Sequence, residues 1–309
     1  RWGQATSPVW GRSWSPACKS SLRMETVTAP RAPELERDAP LAPLTTIRVG
    51  GSAHRLCRAR AFRDVVAALA WARDAGLPVA VVGRGSNLLV ADEGFRGLVL
   101  RLTGRLTSIS VRGPDVWCGG GASLPRAVQR AAAHGLEGLE WGASIPGTAG
   151  GAVAMNAGAH SGDLAQVLRW AVVCSAEGRR RAAPEDLGLG YRRSALGSGA
   201  GVAAVAFALR PGDPGAIASR LAEFRAQRRA TQPQGVRTFG SVFTNPPGDS
   251  AGRLLESAGC KGLSIGGARF SPVHANFIEA APGCRAADVL ALMAEGRRRV
   301  REAGGPLLW

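Results

Sequence analysis

The sequence is nearly without lysine and tyrosine. Of its 39 Lys and Arg residues only Lys19 and Lys261 are lysines, Tyr191 is the one tyrosine, and asparagine occurs only at positions 87, 156, 245 and 276. Codons for these residues are AT-rich, whereas the abundant Arg, Ala and Gly have GC-rich codons, so the arginine excess reads as codon pressure. A formal charge of +16 then loses its force as a sign of nucleic-acid binding, and no basic stripe is interleaved with aromatics. No nucleic-acid partner is expected, while affinity for phosphate-bearing small molecules stays open. Under the same pressure, a surviving Asn, Lys or Tyr marks a position where chemistry demands it.

Other absences exclude further classes. No apolar run approaches the roughly 20 residues that span a bilayer, so no membrane partner is expected. The six cysteines, Cys18, Cys57, Cys118, Cys174, Cys260 and Cys284, include no CxxC pair; this argues against a zinc site or disulfide scaffold and for a reducing cytoplasm. His274 has no second histidine at metal spacing, so no metal is expected. Residues 1–23 contain no acid, no Met and no apolar h-region, which excludes a secretory signal. Met24 reads as the start, the segment before it as disordered or translated leader, and residues 24–43, with four prolines, as an extended lead-in.

What is present is a globular chain of 309 residues, 45% apolar and 20% charged, enough to bury the cores of two or three domains. From Leu44 strand and helix patterns alternate: a strand through IRVGG and RLCRA, a helix over AFRDVVAALAWARDAG, a buried strand PVAVVG and a strand LVLRL. Short strands ISVRG and DVWCG, a helix SLPRAVQRAAAHG and a long small-residue stretch follow. A strand pair, LRWAVVCSA and VAAVAFALR, then brackets GYRRS. After Pro211 a helix, AIASRLAEFRAQRRATQ, opens a second region that ends in another, AADVLALMAEGRRRVREAG.

Four segments carry possible chemistry. In VVGRGSNLLV a strand runs into Gly83, Gly85, Ser86 and Asn87, whose backbone N–H groups and side chains suit a phosphate, although any tight turn uses similar residues. From Gly142 to His160 there are five glycines and six alanines, a run that suits either close helix packing or backbone laid against a flat ligand. Together with TTIRVGG these segments suggest one ligand held from three sides, the shape of flavin adenine dinucleotide; its expected contacts in the second stretch are Ser144, Pro146, Gly147, Gly151 and Asn156. In GYRRS, Arg192 is either a solvated arginine or a bidentate partner for a carboxylate. In TFGSVFTNPPGDSAG, Ser241 is either a strand-edge serine or a proton donor in a closed site; with no His or Asp nearby it is a poor nucleophile but a competent acid toward a carbanion.

Read in order, TTIRVGGSA, VVGRGSNLLVADEGFRGLVLRL, GLEGLEWGASIPGTAGGAVAMNAGAH, GYRRSAL, RRATQP and FGSVFTNPPGDSAGRLLESAGCKGLSIGGARFSPVHANFIEA resemble the UDP-N-acetylenolpyruvoylglucosamine reductase family, in its shorter subtype. The resemblance covers Leu44 to Gly304. It implies an α+β chain with a vanillyl-alcohol-oxidase (PCMH) type FAD-binding domain over 44–211, in lobes of about 44–103 and 104–211, then a substrate-binding domain over 212–309. It also implies FAD and NADPH as cofactors, an enolpyruvyl ether of a UDP-sugar as substrate, and a cytoplasmic enzyme of peptidoglycan synthesis, expected as a monomer. Arg192 matches the family's arginine that holds enolate charge and Ser241 its proton-donating serine. Tyr191, Asn245 and Lys261 fall where substrate contacts are expected. Thr45 stands where many members have asparagine. The family pattern continues past the last helix with a segment like L-x-x-E-V that supplies an active-site glutamate, and Glu302 is not its equivalent. The expectation is therefore a truncated or mis-framed end, with a catalytically weakened flavin-binding relative as the alternative and an oxidase of the same fold as a third reading.

Overall fold

The computed structural model describes residues 32–308; the leader, Met24 and the first part of the expected lead-in lie outside the described residues. The first sheet has the order β1-β2-β4-β3, built from β1 (Leu35–Pro40), β2 (Ser52–Ala59), β3 (Val79–Val81) and β4 (Phe95–Leu102). The end of the expected lead-in is thus an edge strand, paired antiparallel to β2. Strands β2, β4 and β3 run parallel, and α1 (Phe62–Asp74) makes the crossover between β2 and β3. Its stripe Val65, Ala68, Leu69 and Ala72 is fully buried, the periodicity that made this helix legible.

IRVGG is not a strand. Arg48 and Gly50 have φ of +62° and +114°, which no strand accommodates. Ile47 and Val49 are instead buried with Phe239, Phe243 and Leu255 in the core of a third body, which follows the two sheet-based ones and is built mainly from residues 239–308. Burial of such side chains is worth roughly 1.5–3 kcal/mol each, enough to redirect a short segment. The expected boundary at 211 therefore does not separate the cores.

The second sheet has the order β11-β10-β12-β6-β5 and is antiparallel throughout. Its members are β5 (Ile109–Arg112), β6 (Asp115–Gly119), β10 (Leu168–Ser175), β11 (Gly178–Ala182) and β12 (Gly201–Ala208). On its inner face lie α2 (Leu124–Ala132) and α3 (Ala149–Ala154), and its outer face shares a core with α1 through Cys174 and Ala203. Between these elements run the short pieces β7 (Leu136–Glu137), β8 (Gly158–Ala159), β9 (Gly162–Asp163) and β13 (Arg210–Pro211). Strand β11, GRRRA, was invisible in the sequence because three consecutive arginines carry no alternation.

Helix α4 (Pro214–Thr231) was expected to open the third body but packs on the second: Ile217 and Leu221 belong to its core, with Phe224 against it. The rest is α5 (Ala251–Ser257), the sheet β14 (Ser264–Ile265), β15 (Ala268–Phe270) and β16 (Ile278–Ala280), and α6 (Ala286–Glu302). No described helix is long and apolar enough to cross a membrane.

One contact between bodies has an energetic consequence. Asp92, in the loop before β4, accepts hydrogen bonds from Ala286 N (2.8 Å) and Ala287 N (3.0 Å), capping α6 across the chain. Asp92→Ala leaves those N–H groups without their acceptor and is expected to cost about 1 kcal/mol, read as a lower thermal midpoint; Asp92→Asn, also a good cap, should retain most of it.

Candidate active site

The loop after β3 is the hub. Thr46 Oγ1 donates to Thr238 O (2.6 Å) and lies 3.2 Å from Gly85 O, which also accepts from Thr46 N at 3.1 Å. These bonds tie the GRGSN turn to the segment leading into Ser241. Gly85 has φ +63°, and a side chain there would meet Leu44 O. At Gly83 a side chain would run into Thr148 Oγ1. Both glycines, expected to let a phosphate approach, are required by protein packing; what they leave to a ligand is backbone N–H, beside half-buried Ser86 and exposed Asn87.

Thr148 joins this hub to the small-residue stretch. Its Oγ1 accepts from Gly151 N (3.2 Å) and caps α3. Gly150 N donates to Gly120 O, and a side chain at Gly150 would collide with Val202 O, so close packing explains part of the stretch. The remainder is open: a Cβ at Gly147 would have nothing nearer than Ile145 Cγ2 at 3.9 Å, and Pro146, Gly151 and Met155 are exposed. Ser144 Oγ is buried with no hydrogen-bond partner, an orphan of the kind a bound polar group satisfies. Gly147→Val is accordingly expected to leave the thermal midpoint of the FAD-free protein nearly unchanged while weakening FAD binding by tenfold or more, measured by flavin fluorescence titration; equal loss of both would make the glycine structural.

Asn156 has a structural task. It is 4% exposed; Nδ2 donates to Gly190 O (3.2 Å) and Oδ1 accepts from Ala165 N (3.1 Å). In the free chain its amide holds the Tyr191–Arg192 turn through Gly190 O. That turn is closed by reciprocal bonds between Gly190 and Arg193. Arg192 takes φ +55°, its Nη2 donates to Gly158 O at 2.7 Å, and its guanidinium stacks 5.0 Å from the ring centroid of Tyr191, which is 57% exposed.

Ser241 is exposed, so the expected closed site is open in the free chain. Its backbone bridges Phe277, and Asn276 clamps the following residues, accepting from Phe243 N and donating to Phe243 O, both at 2.9 Å. Gly240, at φ +86°, lies beside Ser86 O. Asn245 and Lys261 are not brought together. Asn245 Oδ1 accepts from Ala251 N at the start of α5, and Lys261, beyond its end, pairs with Glu256 at 2.8 Å. The ring of His274 fills the space at Gly252 and accepts from Asn276 N through Nδ1. Burial, with help from Lys261, pushes its pKa below the usual histidine value. Glu302 is paired with Arg298 on the exposed side of α6. Among the described residues no three His, Cys, Asp or Glu side chains converge as a metal site.

Residues 232–308 match the family described as UDP-N-acetylenolpyruvoylglucosamine reductase, C-terminal domain, and residues 54–183 match the FAD binding domain family. The UDP-N-acetylenolpyruvoylglucosamine reductase of Anaeromyxobacter dehalogenans is 48% identical over 269 residues, 87% of this chain and 82% of that protein. The chain belongs to the UDP-N-acetylenolpyruvoylglucosamine reductase family. A second reductase of the family, from Symbiobacterium thermophilum, is 46% identical over 88% of this chain and 89% of its own length. The crystal structure of the reductase from Thermus caldophilus superposes with a TM-score of 0.79 at 39% identity, covering 90% of this chain and 97% of that one. The family's α+β fold with an FAD-binding domain is thus the fold of this chain, and the orphaned Ser144 Oγ and the open backbone at Gly147 fit that cofactor.

Nothing in the residue pattern marks the roles of Thr46 and Asp92, whereas Thr148 carries a signal, a threonine opening the short run AGGAVA in the manner of an N-cap.

Proposed function

We propose that the chain reduces the enolpyruvyl ether of UDP-N-acetylglucosamine to UDP-N-acetylmuramate with NADPH, through FAD, as a cytoplasmic monomer supplying peptidoglycan synthesis. The observation that carries this reading is the joint placement of family segments: Ser241 follows a segment bonded through Thr46 to the GRGSN turn, which touches the cap of α3, whose far end holds the Arg192 turn.

Bound FAD would carry hydride from NADPH to the β-carbon of the enolpyruvyl group. The chain's own residues handle the charge and proton that this creates. Negative charge builds on the substrate carboxylate as the double bond is reduced, and Arg192, planar and permanently charged, binds that state more strongly than the ground state. Ser241 Oγ–H then supplies the proton to the α-carbon, a base strong enough to take it. Tyr191 offers an exposed aromatic face to the same carboxylate, and Asn245 and Lys261, at opposite ends of α5, are the polar side chains proposed to contact the rest of the sugar nucleotide. Because Ser241 is exposed in the free chain, the substrate itself must exclude water.

The test is anaerobic and uses the holoenzyme. NADPH should bleach bound flavin and the enolpyruvyl substrate should restore its colour with formation of UDP-N-acetylmuramate. Yellow protein inert to both sinks the proposal, and reoxidation by oxygen alone favours an oxidase.

A further inference from the structure

Helix α4 presents one face to the segment 137–160. Arg220, Phe224 and Arg228 recur at i, i+4 and i+8 and so share that face. Arg220 Nη2 binds Glu137 Oε2 and Glu140 Oε1, both at 2.8 Å. Burial alone would raise the Glu140 carboxyl, but the Arg220 hydrogen bond and two backbone bonds outweigh it and hold it below the usual range. Arg228 Nη1 donates to Ser144 O. Between these anchors, Phe224 stacks on the ring of His160, centroids 4.1 Å apart and planes within 11°.

His160 and Ser161 are the two turn residues between β8 and β9, at φ +52° and +62°. Such a turn favours Asn-Gly, and each side-chain-bearing residue held left-handed costs about 1 kcal/mol. Strain of this kind persists only where the surroundings over-determine it. Of the six non-glycine residues with positive φ among the described residues, four are Asn156, His160, Ser161 and Arg192. They lie on one path: the stack fixes the hairpin tip, the hairpin begins at Gly158, and Gly158 O receives Arg192 Nη2. Trp141 supports the other arm, since a side chain at Gly162 would collide with its ring.

We infer that the His160–Phe224 stack is a positioning device that holds the Arg192 guanidinium through the 158–163 hairpin. The inference rests on the role of Arg192 proposed above. Neither residue of the stack needs to touch substrate; both set where the guanidinium points.

Tyr191, the one tyrosine and the neighbour of Arg192, makes the turn directly observable. Holoenzyme labelled with fluorotyrosine should give a single fluorine NMR resonance. His160→Asn keeps a residue that tolerates left-handed backbone and removes the ring; Phe224→Leu keeps apolar volume and removes the flat face. Both should shift or split the resonance and slow flavin reoxidation by the enolpyruvyl substrate about tenfold, as small misplacements do, with flavin reduction by NADPH within twofold of wild type. Phe224→Tyr, which keeps the stack, should restore both readouts. An unchanged resonance in both His160→Asn and Phe224→Leu overturns the positioning device. A moved resonance with unchanged reoxidation overturns the positioning of Arg192 by the stack, while the role of Arg192 itself stands or falls separately with Arg192→Lys.

Discussion

Ser241→Ala should leave NADPH reduction of the bound flavin at its wild-type rate and slow the oxidative half-reaction by on the order of 10²–10⁴, the usual worth of a positioned general acid. The split follows from when the hydroxyl is needed. Reduction of the flavin creates no carbanion, whereas reduction of the enolpyruvyl group leaves an α-carbon that must be protonated. The substitution should not disturb the fold, because Ser241 is exposed and its segment is held by backbone contacts with Phe277 and by the Asn276 side chain on Phe243. Stopped-flow measurement of the two half-reactions separates the outcomes. Equal slowing of both would make the serine a packing residue, and product lacking solvent deuterium at the α-carbon in D2O would remove the need for a donor there.

The second large effect is expected at Arg192. Arg192→Lys keeps the charge but loses the planar fork, so one ammonium cannot both hold Gly158 O, 2.7 Å from Nη2 in the native turn, and face a carboxylate. Loss of a preorganised donor toward developing negative charge costs roughly 10²–10³ in turnover. The loss should appear in kcat for the enolpyruvyl substrate more than in its KM, because charge on the carboxylate is greatest in the transition state. A rise in KM with unchanged kcat would reduce Arg192 to ground-state binding.

The rarity of asparagine located positions that also carry structural work. Asn156, Asn245 and Asn276 all turn amide groups on backbone: Gly190 and Ala165, Ala251, and both polar groups of Phe243. Asn unites a donor and an acceptor on a short stem, which Asp lacks and Gln holds farther out. Such clamps resist codon pressure as a catalytic residue would, and composition cannot tell the two apart. Gly83 and Gly85 teach the same lesson, since their missing side chains make room for Thr148 and Leu44.

From the sequence alone came the families of segments, the helices α1 and α6, the strand pair LRWAVVCSA and VAAVAFALR, and the residues whose chemistry suits hydride addition to an unsaturated acid. These are local properties, written in periodicity and residue type. The tertiary structure decided the rest. It sent Ile47 and Val49 into the third core, assigned α4 to the second, opened Ser241 to solvent, separated Asn245 from Lys261, and strung Phe224, His160 and Gly158 behind Arg192. Each of these outcomes depends on which surfaces meet across tens to hundreds of residues, and burial at a distance leaves no period in the chain.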